Sequence, residues 1–169
     1  MSSFNSYLYA LGIAERFLPD EYHLQNNQLT VPNTFVLSRM KSGETLSVYS
    51  DNVWDLSPYL PKCHCRLNFD SWLENAREDN FLFCQIRAEM KKISFALLYI
   101  KSGKSIIKSI EQRHTVLRQF AAIAYKNGCT LQQLFSDVSY MSKVNDAYVG
   151  VSYQKAIHIK AFLTDCFAL

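Results

Sequence analysis

Long apolar runs are missing from this sequence. No stretch of about eighteen consecutive apolar residues occurs, and a membrane-spanning helix needs roughly that length. The opening residues, MSSFNSYLYALGIAERF, have no positively charged segment before a hydrophobic core, so a secretory signal is not indicated either. We therefore expect a cytoplasmic protein that makes no use of a membrane.

A disulfide framework, a metal-ligand set and the common catalytic motifs are missing too. The five cysteines are an odd number without regular spacing, which is typical of a reducing compartment. Cys63, His64 and Cys65 resemble half of a zinc site, but no second Cys/His pair follows at finger-like spacing. There is no glycine-rich phosphate loop and no paired-carboxylate motif. We expect no metal, no cofactor and no enzyme of these classes.

Positive charge, in contrast, is concentrated in the middle of the chain. Residues 1–86 carry six Lys/Arg against ten Asp/Glu, whereas residues 87–118 carry eight against two. The eight cations are Arg87, Lys91, Lys92, Lys101, Lys104, Lys108, Arg113 and Arg118. Such clustering is typical of a protein that binds a polyanion, and a solvated basic face without a partner is the alternative.

The first part of the chain is rich in turn signals. A length of 169 residues allows one core, or a modest core and an arm. We predict that residues 1–79 form an irregular arm or small subdomain, with a helix over residues 4–18 that ends at Pro19. Two short strands, residues 35–37 and 45–49, are predicted to form a small β-hairpin.

The sequence from residue 80 onward is helical in pattern. Residues 81–101 contain no proline or glycine, and residues 105–127 carry a wide apolar stripe between Ser105 as N-cap and Gly128 as the left-handed exit. A short helix capped by Thr130 and a last helix opened by Ser152 follow. On the first helix we predict inward positions at Phe81, Leu82, Ile86, Met90, Ile93, Leu97 and Ile100, and water-facing positions at Arg87, Glu89, Lys91 and Lys92. The predicted fold is mainly α, with a compact four- to five-helix bundle over residues 80–169.

A single pattern of helix caps and core positions runs through this bundle. Its residues are Gly103, Lys104, Ser105, Ile106, Ile107, Ile110, His114, Leu117, Phe120, Ala124, the run 128–134, Ser152, Ile157 and Phe162. The pattern resembles the N-terminal core-binding domain of tyrosine site-specific recombinases, the phage-integrase family, and covers residues 80–169. Ile107 and His114 stand where that family often has a polar or aromatic residue. The resemblance implies a SAM-like fold, a function in DNA integration and recombination, and one jaw of a clamp around duplex DNA.

The catalytic half of that family is not found in the sequence. The resemblance implies a nucleophilic tyrosine and a set of Arg, Lys and His residues that activate the scissile phosphate. The run from His114 to Arg118 is similar to the family's H-x-L-R box, but it has one residue too many and lies in the middle of a helix. We therefore expect no DNA cleavage by this chain itself, and we expect it to be the N-terminal part of a longer recombinase.

Two helix starts carry the predicted DNA contacts. Capped helix N-termini with nearby cations suit phosphate groups, because backbone N–H groups and the helix dipole add to the side-chain charge. The predicted DNA-binding residues are Lys101, Lys104, Ser105, Lys108, Ser109, Arg113, Ser152, Tyr153, Gln154, Lys155 and His158. Most would contact phosphates, and Arg113 or Gln154 would contact base edges. For each lysine a solvated surface position is the alternative.

A helical protein–protein interaction module is the alternative function. Residues 54–61 contain two prolines and are predicted to be an extended strap that packs on a neighbour. The aromatic residues Trp54, Tyr59, Phe69 and Trp72 have no obvious place in a small bundle, and exposed apolar patches mark interfaces. They would dock on another protein or another copy of the chain. Both hypotheses are compatible, because the resemblance implies that recombinase subunits contact each other through N-terminal segments.

Overall fold

The computed structural model describes residues 3–24, 28–60, 64–73, 80–100, 109–136 and 139. This part of the chain contains four α-helices and two antiparallel strand pairs. In chain order the elements are α1 (Ser3–Ala10), β1 (Val36–Arg39), β2 (Thr45–Val48), β3 (Val53–Asp55), β4 (Arg66–Asn68), α2 (Phe81–Tyr99), α3 (Ile110–Lys126) and α4 (Leu131–Ser136). The described residues thus combine helices with small hairpins, as predicted at this coarse level.

The chain forms two compact units. The first consists of Met1–Asn68 and Ser94–Glu111, and the second consists of Phe69–Ile93 and Gln112–Leu169. Helix α2 therefore supplies its first turns to the second unit and its last turns to the first.

The predicted β-hairpin is confirmed. Strand β1 pairs antiparallel with β2, with Val36 opposite Val48 and Arg39 opposite Thr45. The connecting turn is closed by the Met40 N–H, which donates to the Glu44 carbonyl at 2.8 Å. Gly43 has φ +93° in this turn, a conformation that costs glycine least.

The N-terminal helix is shorter than predicted. Helix α1 ends at Ala10, and Gly12 follows with φ +81°. The Ile13 N–H donates back to the Leu8 carbonyl at 3.2 Å, so a left-handed glycine ends the helix well before Pro19. The prediction of one helix over residues 4–18 was wrong. It followed the apolar spacing and did not take Gly12 as the end of the helix.

The predicted strap is a second strand pair and a 3₁₀ turn. Trp54 of β3 lies opposite Leu67 of β4, and the turn Ser57–Tyr59 follows β3. The Leu56 N–H donates to the Cys65 carbonyl at 2.9 Å, which continues the pairing beyond the strands. The strap predicted over residues 54–61 is thus extended only up to Asp55, and a 3₁₀ turn follows it. Strands of three residues are too short to show alternation in the sequence.

An aromatic cluster fills the first unit. Phe95 is buried, and its ring centroid lies 4.8 Å from Tyr22, 5.3 Å from Phe35 and 5.7 Å from Tyr49, all three edge-on. Tyr99 stacks on Phe95 with centroids 4.4 Å apart. Because aromatic pairs in these geometries stabilise beyond their buried area, residues 1–68 and the last turns of α2 share a well-packed core.

The second unit is built around α3. Its residues Val116, Leu117, Phe120, Ala121 and Ala124 are buried, as the predicted apolar stripe requires. The helix ends as predicted, since Lys126 is the last helical residue and Gly128 has φ +68°. It begins later than predicted, because Ser109 lies in a turn and Ile110 is the first helical residue.

The predicted N-cap at Ser105 lies outside the described residues. Ser109 directly precedes α3, and it has with Gln112 the sequence spacing of a capping box, in which a serine and a glutamine three residues later satisfy N–H groups at a helix start. The sequence analysis did not consider this signal.

The cap of α4 is confirmed in detail. The Gln133 N–H donates to Thr130 Oγ1 at 3.2 Å, and the Thr130 N–H donates to Gln133 Oε1 at 2.9 Å. Glu89, predicted to face water, instead accepts a hydrogen bond from the Leu131 N–H at 2.7 Å. The Glu89 carboxylate lies at the positive end of the α4 dipole, where a negative charge is stabilising. This hydrogen bond joins α2 to α4. The predicted last helix, residues 153–167, lies outside the described residues.

Helix α2 does not follow a single apolar stripe. Ile86, Met90 and Leu97 are buried as predicted, but Phe81 is 76% exposed and Ile100 is 39% exposed. Lys91, predicted to face water, is only 9% exposed, with Nζ 5.9 Å from the Phe69 ring centroid. The predictions for Phe81, Ile100 and Lys91 were therefore wrong. Residues 94–99 are in addition buried on every side of the helix, which no amphipathic pattern describes.

Candidate nucleic-acid interface

Two of the predicted DNA-binding residues lie in the described part of the chain. Ser109 is half-buried in the turn before α3, and Arg113 is half-buried in the opening turns of that helix. The structure thus places both at the N-terminal end of α3. The others lie outside the described residues: Lys101, Lys104, Ser105, Lys108, Ser152, Tyr153, Gln154, Lys155 and His158.

The start of α3 carries a surplus of positive charge in the sequence. The segment 101–113 contains Lys101, Lys104, Lys108 and Arg113 against the single acid Glu111. Glu111 lies in the first turn of α3 and is exposed, where it offsets part of the positive end of the helix dipole. The segment still keeps a surplus of three positive charges, which suits an anionic ligand.

Arg87 belongs to the basic stretch 87–118 and forms an ion pair within the second unit. Its Nη1 lies 2.8 Å from Asp70 Oδ1, and the two side chains are 19% and 38% exposed. The guanidinium also lies over the Phe83 ring, with Cζ 5.5 Å from the centroid. Because its charge is already compensated, Arg87 is a poor candidate for phosphate binding.

Arg118 also has a partner in the second unit. Its Nη2 donates to the Ser71 carbonyl, and the side chain is half-buried. The carbonyl is neutral, so this hydrogen bond does not cancel the positive charge of Arg118. With Lys91 buried as well, Lys92 is the exposed cation among the described residues of the stretch 87–118.

His114 belongs to the core of the second unit. It is 4% exposed, and its ring centroid lies 4.8 Å from that of Phe69 in an edge-on contact. This burial and the contact with Phe69 indicate a structural role for His114. The run from His114 to Arg118 therefore contributes packing and an internal hydrogen bond.

The aromatic residues of the alternative hypothesis are buried within the chain. Trp54, Tyr59, Phe69 and Trp72 are between 0 and 7% exposed. They do not form the exposed apolar patch from which the interaction module was inferred. That hypothesis now needs a different surface.

The suggested zinc half-site shows no supporting geometry in the described part. Cys65 is buried, its N–H donates to Ser57 Oγ at 3.0 Å, and the neighbouring His64 is exposed. Cys63 lies outside the described residues. Among the residues that are described, no three His, Cys, Asp or Glu side chains are grouped as metal ligands would be.

The resolved pKa shifts fall on the packed first unit. Burial raises the pKa of Tyr49 to about 12, with a further contribution from Tyr22. Burial also raises the pKa of Tyr59 to about 12 and that of Tyr99 well above its ordinary value. Partial burial pushes the pKa of Asp55 upward, but hydrogen bonds from Ser57 and Arg66 outweigh it and lower that pKa. These shifts report packing and ion pairing.

Comparisons with protein-family models, with curated proteins and with solved structures find no match to this chain. In the described residues, no helix is both long and apolar enough to cross a membrane. The charges and helix starts of the chain itself are therefore the features that indicate its function.

Proposed function

We propose that the chain binds duplex DNA through segment 101–113, which leads into and opens α3. The observation that carries this proposal is the concentration of charge in the sequence. Segment 101–113 holds Lys101, Lys104, Lys108 and Arg113 against the single acid Glu111, and its last residues open α3. Cations and free N–H groups at one helix start are a common way to bind phosphate.

The residues of this segment have different roles in the proposal. Lys101, Lys104 and Lys108 neutralise backbone phosphates and supply most of the affinity, which does not depend on DNA sequence. Ser109 lies next to the first N–H groups of α3, and Arg113 has the length and the forked donors to reach a base edge. The predicted second grip, residues 152–158, would fix the orientation of the protein on the duplex.

We also propose a larger setting from the resemblance of residues 80–169. The chain would be the SAM-like core-binding region of a phage-integrase-type tyrosine recombinase in the cytoplasm, and residues 1–79 would contact other subunits. A separate catalytic domain would then cut and rejoin the DNA, while this chain holds it. The interaction module remains the alternative for the case in which DNA does not bind.

The double reversal Lys104→Glu and Lys108→Glu tests the proposed segment. We expect the affinity for a duplex of about 30 base pairs to fall by about tenfold or more at low salt, because two phosphate contacts become repulsions. The matched control is the double reversal Lys41→Glu and Lys92→Glu. Both side chains are exposed, so the control changes the net charge equally outside the segment.

Fluorescence anisotropy measures both affinities, and circular dichroism checks that each variant is folded. An unchanged affinity in the Lys104/Lys108 variant would remove segment 101–113 from the interface. An equal loss of DNA affinity in both variants would show that the effect comes from the net charge of the protein and not from segment 101–113. If the wild-type chain does not bind DNA, sedimentation velocity would test self-association as the first form of the alternative.

A further inference from the structure

A half-open cavity of about 400 Å³ lies in the first compact unit. It is bounded by the loop after α1, by the start of the β1–β2 turn and by the turn Ser57–Tyr59. Its walls are mostly apolar and include Ile13, Phe17, Met40, Pro58 and the ring of Tyr59. This volume falls in the range of sites for small organic molecules, which are also mainly apolar.

The walls of the cavity are fixed by internal hydrogen bonds. The buried Tyr59 hydroxyl donates to the Phe17 carbonyl at 2.7 Å and accepts from the Arg39 N–H at 2.9 Å. The Arg39 guanidinium donates to the Leu18 carbonyl at 3.1 Å and to Asp20 Oδ1 at 3.0 Å. Because these polar groups already have partners, the apolar surface of the cavity is what remains for a ligand.

The charges at the cavity have one sign. The two charged residues of its lining are Arg39 and Lys41. Asp20 already compensates Arg39, whereas no ion pair among the described residues involves the exposed Lys41. This is unusual in a stretch with a net negative charge, since residues 1–86 carry more acids than bases. The ligand that complements this lining has an apolar body and one negative charge.

We propose that this cavity binds a small amphipathic carboxylate. The apolar body of the ligand lies against Phe17, Met40 and Pro58, and its carboxylate lies at the Lys41 ammonium. The size and concavity favour a small molecule over a protein surface, because a flat protein partner would leave much of the cavity empty. This function is independent of DNA binding, since none of its residues belongs to segment 101–113.

Saturation-transfer NMR on the full chain tests the site with phenylbutyrate and with its neutral analogue, phenylbutyramide. We expect phenylbutyrate to bind two- to five-fold more tightly than the amide, the approximate range for one exposed ion pair. Lys41→Gln should remove that preference and leave the amide unaffected. Ala14→Trp should abolish binding of both ligands, because Ala14 is an exposed residue of the lining and the indole would fill the cavity.

Two variants of α2 serve as matched controls. Ala88 and Lys92 are exposed, so Ala88→Trp and Lys92→Gln repeat the chemistry of the test variants away from the cavity, and both should bind phenylbutyrate normally. Equal affinity for the two ligands in the wild type would overturn the assignment to an anion. Binding that survives Ala14→Trp, or that Ala88→Trp also removes, would overturn the location. Absence of saturable binding to the wild type would overturn the site itself.

Discussion

The cations in the middle of the chain differ in what surrounds them. Arg87 and Arg118 bind Asp70 and the Ser71 carbonyl within the second unit, and Lys91 is buried beside Phe69. The concentration of charge can be read directly from the sequence, because charge is a property of the residue itself. The sequence could not show which cations have partners inside the fold, because those partners are distant in the chain.

The hydroxyl of Tyr59 provides a test of one buried hydrogen-bonding group. Tyr59→Phe leaves the Phe17 carbonyl and the Arg39 N–H without this partner, so we expect the free energy of unfolding to fall by about 1–3 kcal/mol. Urea unfolding measures the change. Tyr9→Phe is the matched control and should change stability by less than about 0.5 kcal/mol, since Tyr9 is exposed. Equal effects of the two variants would show that the two hydrogen bonds of the Tyr59 hydroxyl add no stability.

The buried tyrosines predict a loss of stability in alkali. The pKa values of Tyr49 and Tyr59 are about 12 in the folded protein against an ordinary value of 10.0. Above pH 10 the unfolded chain loses these protons first, so the free energy of unfolding is retained below pH 10 and falls as the pH rises toward 12.

The midpoint of urea unfolding across this pH range measures that loss. Tyr49→Phe removes one of the three tyrosines whose pKa is raised, so its midpoint should fall less steeply than that of the wild type. Absorbance of tyrosinate gives a second readout, because the folded protein should ionise part of its tyrosines later than the unfolded chain. A midpoint that stays constant between pH 10 and pH 12 would contradict the burial of these rings.

Among the elements, those with local signals were predictable. The β1–β2 hairpin, the end of α3 at Gly128 and the Thr130 cap of α4 all depend on residues a few positions apart. The β3–β4 pair was missed, because Trp54 and Leu67 are brought together by the fold and not by a turn signal. The position of helix α2 in the chain was predicted correctly. Its buried residues were not, since the helix contributes residues to both compact units.

The α4 cap can be tested as a unit of local structure. Thr130→Ala removes the oxygen that accepts from the Gln133 N–H, and we expect a loss of about 1 kcal/mol in the free energy of unfolding. Thermal or urea unfolding measures it, with Thr34→Ala in an exposed turn as the control. If Thr130→Ala and Thr34→Ala are equally stable, the cap is not a significant source of stability.

For the molecule as a whole, the central claim is that segment 101–113 makes the chain a DNA-binding protein. The distribution of charge in the sequence supports this claim, because segment 101–113 holds four cations against one acid and its last residues open α3. The same segment lies in residues 80–169, for which we propose the role of a recombinase core-binding region. DNA binding is therefore the property to test before the recombinase setting.

The most direct measurement is fluorescence anisotropy of a duplex of about 30 base pairs with the wild-type chain across a salt series. Each cation that neutralises a phosphate contributes about −0.9 to the slope of log affinity against log salt, so the four cations predict a slope near −3.6. A slope between about −3 and −6 would support the proposed interface, the steeper values including a second grip. No binding at low salt, or binding that does not depend on salt, would contradict it.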